Sequence, residues 1–237
     1  MQDSSCNFND CFLCRFCIPE WKEAIAVKKQ TLSFKKGERI FVEGETVRGI
    51  YFLYEGFAKV HKRWIGQKDL IIRFCRSGDV LGHRGLGDDA IYPVSATAIE
   101  DVKACFISHD FLEASLKTNH GLTYTLMQFY ARELQKAEQR LSNLAHMEVK
   151  GRIAEALLDI REFFGADQDN FISVIITRQD IASYAGTTYE TVFKFFVELQ
   201  QAGIISTTGK SIRVNKKDKL MQFVQVEANK GLPGTVH

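Results

Sequence analysis

The chain has 237 residues, a formal net charge of +2 at pH 7 and 45% hydrophobic residues. This length suits one large or two medium domains, and the hydrophobic share can fill a core, so we expect a globular protein. The near-neutral charge excludes a generally polybasic protein, so any affinity for nucleic acid has to come from local basic clusters. The sequence shows neither an apolar run near the ~18 residues of a membrane span nor a secretory signal pattern. We therefore predict a cytoplasmic protein with reduced thiols and no membrane partner.

Cysteine is concentrated at the N-terminus, in the spacing C-x4-C-x2-C-x2-C. The four residues of this run are Cys6, Cys11, Cys14 and Cys17, and the remaining two are Cys75 and Cys105. In a reducing compartment such a run indicates a metal or redox site rather than a disulfide framework. Zinc favours a second C-x2-C pair or nearby histidines, which the sequence lacks, whereas iron–sulfur clusters accept a close run plus a remote cysteine. We favour iron–sulfur, and zinc or no metal at all remain open.

The region from Gln30 to His109 alternates short apolar runs with glycines. Runs such as Ile50–Tyr54 and Leu70–Phe74 are typical of strands, and the regular turns between them favour a β-roll, barrel or sandwich. A short helix over Trp21–Lys29 is predicted to precede this region.

A long helix is predicted from Tyr124 to Ala145, because apolar residues recur at spacings of three and four. The seam that we predict comprises Leu126, Phe129, Leu134, Ala137, Leu141 and Leu144. It is suited to pairing with a second helix in a homodimer, although an amphipathic helix lying on its own sheet has the same pattern. A further helix over Glu148–Phe164 opens a C-terminal domain.

The stretch Thr177–Val214 carries the strongest functional signal. A short helix over Arg178–Tyr184 and a break at Ala185-Gly186-Thr187 precede a second helix that Thr188 can cap. Two helices joined by a tight turn with glycine indicate a helix-turn-helix, whose second helix enters the DNA major groove. Two strand-like runs around Thr208-Gly209-Lys210 then form a wing. The competing interpretation is a helical hairpin followed by a β-ribbon.

The chain resembles the Crp/Fnr family of bacterial transcription regulators in the order of its elements, a glycine-punctuated β-roll followed by a long seam helix and a helix-turn-helix. The motif that carries the resemblance is TRQDIASYAGTTYETV, followed by GIIS and GKSI. The turn Gly78-Asp79-Val80-Leu81-Gly82 also resembles that family's sensor domain. The resemblance implies an α+β fold with a cyclic-nucleotide-binding-like β-roll, a dimerisation helix and a winged helix-turn-helix. The domains that we predict are a Cys-rich segment at 1–20, a β-roll at 21–120, a dimerisation helix at 121–146, a DNA-binding domain at 147–225 and a tail at 226–237.

The resemblance implies roles for the residues of the DNA-binding domain. Those expected to contact double-stranded DNA are Thr177, Arg178, Gln179, Thr188, Tyr189, Glu190, Thr191, Phe193, Lys194 and Lys210. Glu190 matches the family's glutamate, which accepts a hydrogen bond from a cytosine amino group. Lys194 stands where most members carry Arg, and the aromatic Tyr189 and Phe193 also depart from the family's usual residues. The sequence of the half-site is therefore open.

The resemblance also bears on the signal that is sensed. The effector pocket would comprise Gly82, His83, Arg84 and Ser95, but the cAMP-binding branch has Glu at the position of His83 and an Arg before its Ser or Thr. Without that Arg a cyclic phosphate lacks its charge partner, so we expect no cAMP. Cys17-Ile18-Pro19 and Cys105 resemble positions of Fnr-like proteins, which implies a cluster on Cys11, Cys14, Cys17 and Cys105, with Cys6 as a substitute ligand. Cys75 receives no role.

The function that we predict is a homodimeric transcription regulator that responds to oxygen or redox state through an iron–sulfur cluster. The alternative is a regulator of the same fold that senses a small molecule other than cAMP, or senses nothing. RNA polymerase is a partner that the family implies. The sequence contains no nucleophile elbow, P-loop, Rossmann glycine motif or HExxH, so an enzyme is not expected.

Overall fold

The computed structural model describes residues 11–63, 69–87 and 89–225. Cys6 and the predicted tail at 226–237 lie outside the described residues. The chain divides into two compact units, Met1–Leu134 and Gln135–His237, and the boundary falls inside one long helix. Each unit is considered separately below.

The first unit begins with helical segments that precede the sheets. Helix α1 spans Phe12–Phe16, a single 3-10 turn spans Pro19–Trp21, and helix α2 spans Lys22–Lys28. The predicted short helix is thus confirmed as α2, whereas α1 was not predicted. Proline at the start of the 3-10 turn is favourable, since its missing N–H would have no helical partner there.

Among the described residues, eight strands form the body of this unit. They are β1 (Gln30–Phe34), β2 (Arg39–Phe41), β3 (Gly49–Glu55), β4 (Ala58–Arg63), β5 (Asp69–Cys75), β6 (Val80–Leu81), β7 (Ser95–Ala98) and β8 (Val102–Ser108). They make two four-stranded antiparallel sheets, with the orders β1-β8-β3-β6 and β2-β7-β4-β5. The predicted β-roll is confirmed.

Two apolar clusters of described residues stabilise the first unit. One lies inside the roll and contains buried residues of both sheets, among them Phe41, Leu53 and Val60, together with Tyr92 from a loop. The other joins β3 and β8 to the helices, which is why β3 is buried over its first five residues instead of alternating. Helix α3 (His109–Thr118) and the first half of helix α4 (His120–His146) complete this second cluster.

The second unit contains the C-terminal half of α4 and a small α+β domain. Its elements are α5 (Val149–Phe164), α6 (Arg178–Ala185), α7 (Tyr189–Gln201), β9 (Ile205–Thr208), β10 (Ser211–Val214) and α8 (Lys217–Gln225). Strands β9 and β10 form the antiparallel two-stranded wing that the sequence predicts. Helix α8 was not predicted.

The turn between α6 and α7 is built by Gly186. This residue has φ 62° and ψ 46°, a left-handed conformation that glycine adopts without a steric penalty from Cβ. It ends α6 and redirects the chain within three residues, so that Thr188 can start α7. The helix-turn-helix geometry is confirmed.

The long helix α4 does not use its predicted seam uniformly. Leu126 is buried, and Phe129 packs in the apolar cluster of the first unit, so both face their own chain. Leu134 and Leu141 are exposed, as a seam requires, and Met127 and Tyr124 are exposed beside them. The interpretation as an amphipathic helix is therefore correct for the N-terminal half of α4. Within the described residues, no helix is both long and apolar enough to span a bilayer.

Candidate functional site

Helix α7 presents a chemically mixed face to solvent. Val192, Phe195, Phe196 and Leu199 are buried at spacings of three and four, which anchors the helix on the domain core. This rotation leaves Tyr189, Glu190, Phe193 and Lys194 exposed on the first turns. The predicted base-reading residues thus lie together on one accessible face, apart from Thr191, which is half-buried.

Threonine caps fix the starts of both helices. The Thr177 hydroxyl accepts a hydrogen bond from the Asp180 N–H at 3.0 Å, while the Asp180 carboxylate accepts from the Thr177 N–H at 3.2 Å. This reciprocal capping box satisfies two helix-start donors. The Thr188 hydroxyl accepts from the Thr191 N–H at 3.3 Å. Since both hydroxyls are engaged in caps, they position the two helices, and their predicted contact with DNA stays a prediction.

Arg178 lies between aromatic rings rather than extending into solvent. Its guanidinium carbon is 5.6 Å from the ring centroid of Phe193 and 5.4 Å from that of Phe196. Such cation–π contacts restrict the Phe193 ring on the surface of α7. Gln179 and Lys210 are exposed, Lys210 at the turn of the wing, where a lysine can reach a DNA phosphate.

The four described cysteines of the predicted cluster share one environment. Cys11, Cys14 and Cys17 flank or lie within α1, Cys105 lies in β8, and all four are buried in the same apolar cluster. Burial, with a contribution from nearby Cys11, raises the pKa of Cys17 to about 11. Among the described residues, no three His, Cys, Asp or Glu side chains are arranged to hold a metal ion.

Helix α1 contacts helix α4 within the first unit. The ring centroid of Phe12 lies 6.4 Å from that of Phe52 in β3, and 5.9 Å from that of Phe129 in α4, which it meets edge-on. The N–H of Ile18, directly after Cys17, donates to the Asn119 side-chain oxygen at 2.9 Å. The cysteine segment is therefore attached to both the sheet and the start of α4.

The predicted effector pocket is a small cavity of about 10 Å³ in the roll. Gly82, His83 and Arg84 line it together with Phe41 and Tyr92, whose rings stack at 4.3 Å. Ser95 is absent from the lining, and its hydroxyl instead accepts a hydrogen bond from the Glu43 N–H at 2.9 Å. The structure thus brings three of the four predicted residues together.

A buried charged network next to this cavity escaped the sequence analysis. The Glu133 carboxylate of α4 pairs with Arg73 at 3.3 Å and with Arg84 at 3.2 Å. The hydroxyl of Tyr130 donates to the carbonyl oxygen of His83. Burial and the two guanidiniums lower the pKa of His83 to about 3. Glu133 sits between apolar residues at helical spacing, and a charge at such a position is the signal that could have revealed the network.

The buried Cys75, which received no role, lies in the same region. Burial raises its pKa to about 12, partly offset by Arg73. A thiol with this pKa is protonated at neutral pH and behaves as a small apolar side chain.

Comparisons with known proteins agree with this architecture. The family model of the cyclic nucleotide-binding domain matches residues 31–119, and that of the Crp-like helix-turn-helix domain matches residues 151–223. An anaerobic regulatory protein of Bacillus subtilis is 27% identical over 213 residues, covering 88% of each chain. A CRP-like cAMP-activated global transcriptional regulator of Mycobacterium tuberculosis is 26% identical over 199 residues, covering 83% of this chain and 89% of its own.

Among solved structures, FixK2 from Bradyrhizobium japonicum superimposes with a TM-score of 0.71 at 24% identity, covering 82% of this chain and 96% of its own. The fold and the exposed face of α7 define a transcription regulator with a helix-turn-helix DNA-binding domain. The chain belongs to the Crp/Fnr family.

Proposed function

We propose that this regulator acts as a homodimer whose DNA binding responds to oxygen or redox state through an iron–sulfur cluster. The observation that carries the proposal is the burial of Cys11, Cys14, Cys17 and Cys105 in one apolar cluster. Three of these thiols come from the N-terminal segment and one from the sheet, so a shared ligand would tie the two together.

The donor set fits such a group in residue type, although the described side chains are not arranged to hold a metal ion. Four thiolates are the ligands that [2Fe–2S] and [4Fe–4S] clusters require, and the surrounding apolar shell limits access of water. When bound, the group supplies redox chemistry and four bonds to cysteine sulfur. Because burial keeps the Cys17 thiol protonated at neutral pH, ligation requires loss of that proton and becomes more favourable as pH rises.

The position of the cysteine segment supports a coupling between cluster binding and dimerisation through α4. Phe12 of α1 contacts Phe129 of α4, and Asn119 just before α4 holds the backbone after Cys17. A rearrangement of this segment would therefore change the support of α4. Such a two-state element, biased by a ligand, is what a switch needs.

The exposed apolar residues of α4 support pairing of two chains. Met127, Leu134 and Leu141 recur every seven residues and are 59%, 61% and 68% exposed. This spacing is the heptad of a two-helix seam, and Ala137 and half-buried Leu144 of the predicted seam flank it. Two helix-turn-helix units in one dimer would contact two half-sites about one DNA turn apart. RNA polymerase is the further partner that we propose on family grounds.

The DNA-binding roles follow from the exposed face of α7 and the wing. Glu190 would accept a hydrogen bond from a base amino group, and Lys194 would donate to guanine. Gln179 and Lys210 would contact phosphates, which fixes register without reading sequence. Arg178 would act mainly by holding Phe193, with which it stacks.

The cavity in the roll argues against cAMP as the effector. Its volume of about 10 Å³ has room for roughly one water molecule, far below the ~300 Å³ at which ordinary ligand pockets begin. Arg84, which lines the cavity, is paired with Glu133. The second candidate is a regulator of the same fold that senses a small molecule other than cAMP in the roll, or senses nothing.

The test is purification of the full-length protein without oxygen, followed by absorption spectroscopy and iron and sulfide analysis. We expect a broad band near ~400 nm with iron and sulfide in comparable amounts. Cys105→Ala should abolish both the band and the anaerobic gain in DNA affinity. Cys75→Ala is the matched control, because Cys75 is an equally buried thiol of the roll outside this cluster.

Colourless, iron-free protein that binds DNA equally with and without oxygen would refute the cluster. If such a protein also changed its affinity with a small co-purified compound, the second candidate would replace it.

A further inference from the structure

The exposed face of α7 carries large apolar side chains, which hydrogen bonding to DNA bases does not explain. Tyr189, Phe193 and Val197 follow one another at four-residue spacing along α7 and are 41%, 46% and 38% exposed. Large apolar side chains in a row on an exposed helix face are costly in water, and such patches mark contact surfaces. Phe195 and Phe196 of the same helix show the contrast, since both are 1% exposed in the core.

The first two of these residues form a single preorganised edge. The rings of Tyr189 and Phe193 are stacked, with centroids 6.4 Å apart and planes at 22°. Arg178 packs on the Phe193 ring, with its guanidinium carbon at 5.6 Å from the centroid. The edge is therefore held in place by neighbours from two helices, so little conformational entropy remains to be lost when it meets a partner.

The polar neighbours identify the partner. Glu190 and Lys194 adjoin Tyr189 and Phe193 on the same exposed turns, and the wing presents Lys210. A surface with basic groups for phosphates and hydrogen-bonding groups for base edges complements the DNA major groove. The apolar substituent exposed on base edges in that groove is the thymine C5-methyl.

We propose that Tyr189 and Phe193 form a specificity edge that reads thymine methyl groups in each half-site. The inference rests on the proposed DNA-binding function and names the bases that this helix selects. Four residues of helix advance about 6 Å, close to two base steps of ~3.4 Å. The two thymines are therefore expected about two base pairs apart, next to the pair that Glu190 contacts.

A simpler account is that the stacked pair only stabilises α7, since aromatic pairs at i and i+4 add a few tenths of a kcal/mol to a helix. That account predicts no dependence of binding on any DNA methyl group. The two accounts are therefore separated by changing the DNA while leaving the protein untouched.

The experiment begins with selection of binding sites from a random double-stranded DNA pool, using the full-length protein both without oxygen and in air. In the selected site each thymine is then replaced singly by deoxyuridine, which removes only the C5-methyl. Dissociation constants are measured by fluorescence anisotropy at one salt concentration. Thymines between and outside the half-sites serve as internal controls.

We expect a loss of about fourfold in affinity for each methyl contacted, the value for one buried apolar carbon. Thymines outside the half-sites should show no change. Phe193→Ser should bind more weakly and no longer distinguish thymine from deoxyuridine at its position. Phe193→Leu, which keeps an apolar side chain, should retain part of the distinction. Thermal unfolding of the exposed-residue variants should match that of the wild type.

The proposal is overturned if the wild type binds tightly to a selected site and every deoxyuridine replacement leaves its affinity unchanged. It is overturned as well if Phe193→Ser keeps the full thymine preference. Failure to select any DNA under either condition would refute the DNA-binding function itself, and the specificity edge with it.

Discussion

The two units place their chemistry in opposite environments. In the second unit the side chains that we propose to contact DNA lie exposed on one face of α7, over a core of Val192 and Phe195. In the first unit the described thiols, His83 and Glu133 are buried among other parts of the same chain. An exposed face can be changed with little effect on the fold, whereas any change in a buried polar network disturbs the core around it.

This contrast is useful for a regulator. A surface that reads DNA has to remain available, so its residues need only be positioned by caps and a rigid core. A sensor has to convert a local chemical event into a movement, and buried groups with two arrangements can do so. The contrast predicts that substitutions of buried groups in the first unit act mainly on folding stability and those on the exposed face of α7 mainly on DNA affinity.

The strongest test of this contrast is Glu133→Ala. It leaves Arg73 and Arg84 without their shared carboxylate in a buried site, so we expect a loss of about 3 to 5 kcal/mol in the free energy of unfolding. Urea denaturation followed by circular dichroism measures it. Glu113→Ala removes the exposed pair with Lys117 and should cause no measurable change. Equal effects of the two variants would contradict the role of the buried network.

The second largest expected effect is a dependence of folding stability on pH, which comes from His83. Its pKa falls from 6.5, the ordinary value for histidine, to about 3 in the fold. Below pH 6.5 the unfolded chain binds a proton at this histidine that the folded chain does not bind. The contribution of His83 to the free energy of unfolding is therefore complete above pH 6.5 and is lost as the pH falls from 6.5 towards about 3. Between these two pKa values the free energy of unfolding falls by up to ~1.4 kcal/mol for each unit by which the pH is lowered.

Denaturation of the wild type and of His83→Gln between pH 7 and 5 measures this contribution. Buried His61, whose pKa is also lowered by burial, acts in the same direction, so only the difference between the two proteins is assigned to His83. His120→Gln, at the exposed start of α4, is the control. An unchanged slope in His83→Gln would show that His83 is not the titrating group.

On the DNA-binding unit, Glu190→Ala is expected to weaken binding by about 10- to 100-fold at the selected site, the range for loss of one base-specific contact. Preference at one base pair should relax, while unfolding stays as in the wild type. Binding titrations on single-base-pair variants of the site measure both. Glu198→Ala, exposed on the last turns of the same helix, should keep wild-type affinity. A large loss of stability in Glu190→Ala would break the contrast between the units.

The smallest expected effect comes from the cap of α6. Thr177→Ala removes the side chain of the capping box and should cost about 1 kcal/mol in unfolding free energy. Thr177→Ser keeps a hydroxyl that can accept from the Asp180 N–H and should recover most of it. If Thr177→Ala instead lost DNA affinity at unchanged stability, Thr177 would contact DNA directly, as the sequence predicts.

Local patterns were sufficient for much of the second unit. Gly186 between two periodic apolar runs, Thr188 before the second run and the paired strands around Gly209 each follow from short-range rules of helices and turns. The exposed face of α7 then follows from which residues are buried at spacings of three and four. The same reasoning missed α8, whose single buried residue, Leu220, leaves little periodic signal.

The sequence by itself determined the fold class, the long helix and the helix-turn-helix with its wing, because their helices, turns and strands follow from patterns over neighbouring residues. Only the tertiary structure decided that Leu126 and Phe129 face their own chain, that Glu133 joins Arg73 to Arg84, and that Cys105 lies among the N-terminal thiols. These contacts join residues far apart in the chain, and the cost of burying a charge or a thiol depends on which partner the fold supplies. A local sequence pattern does not identify which distant residue will be that partner.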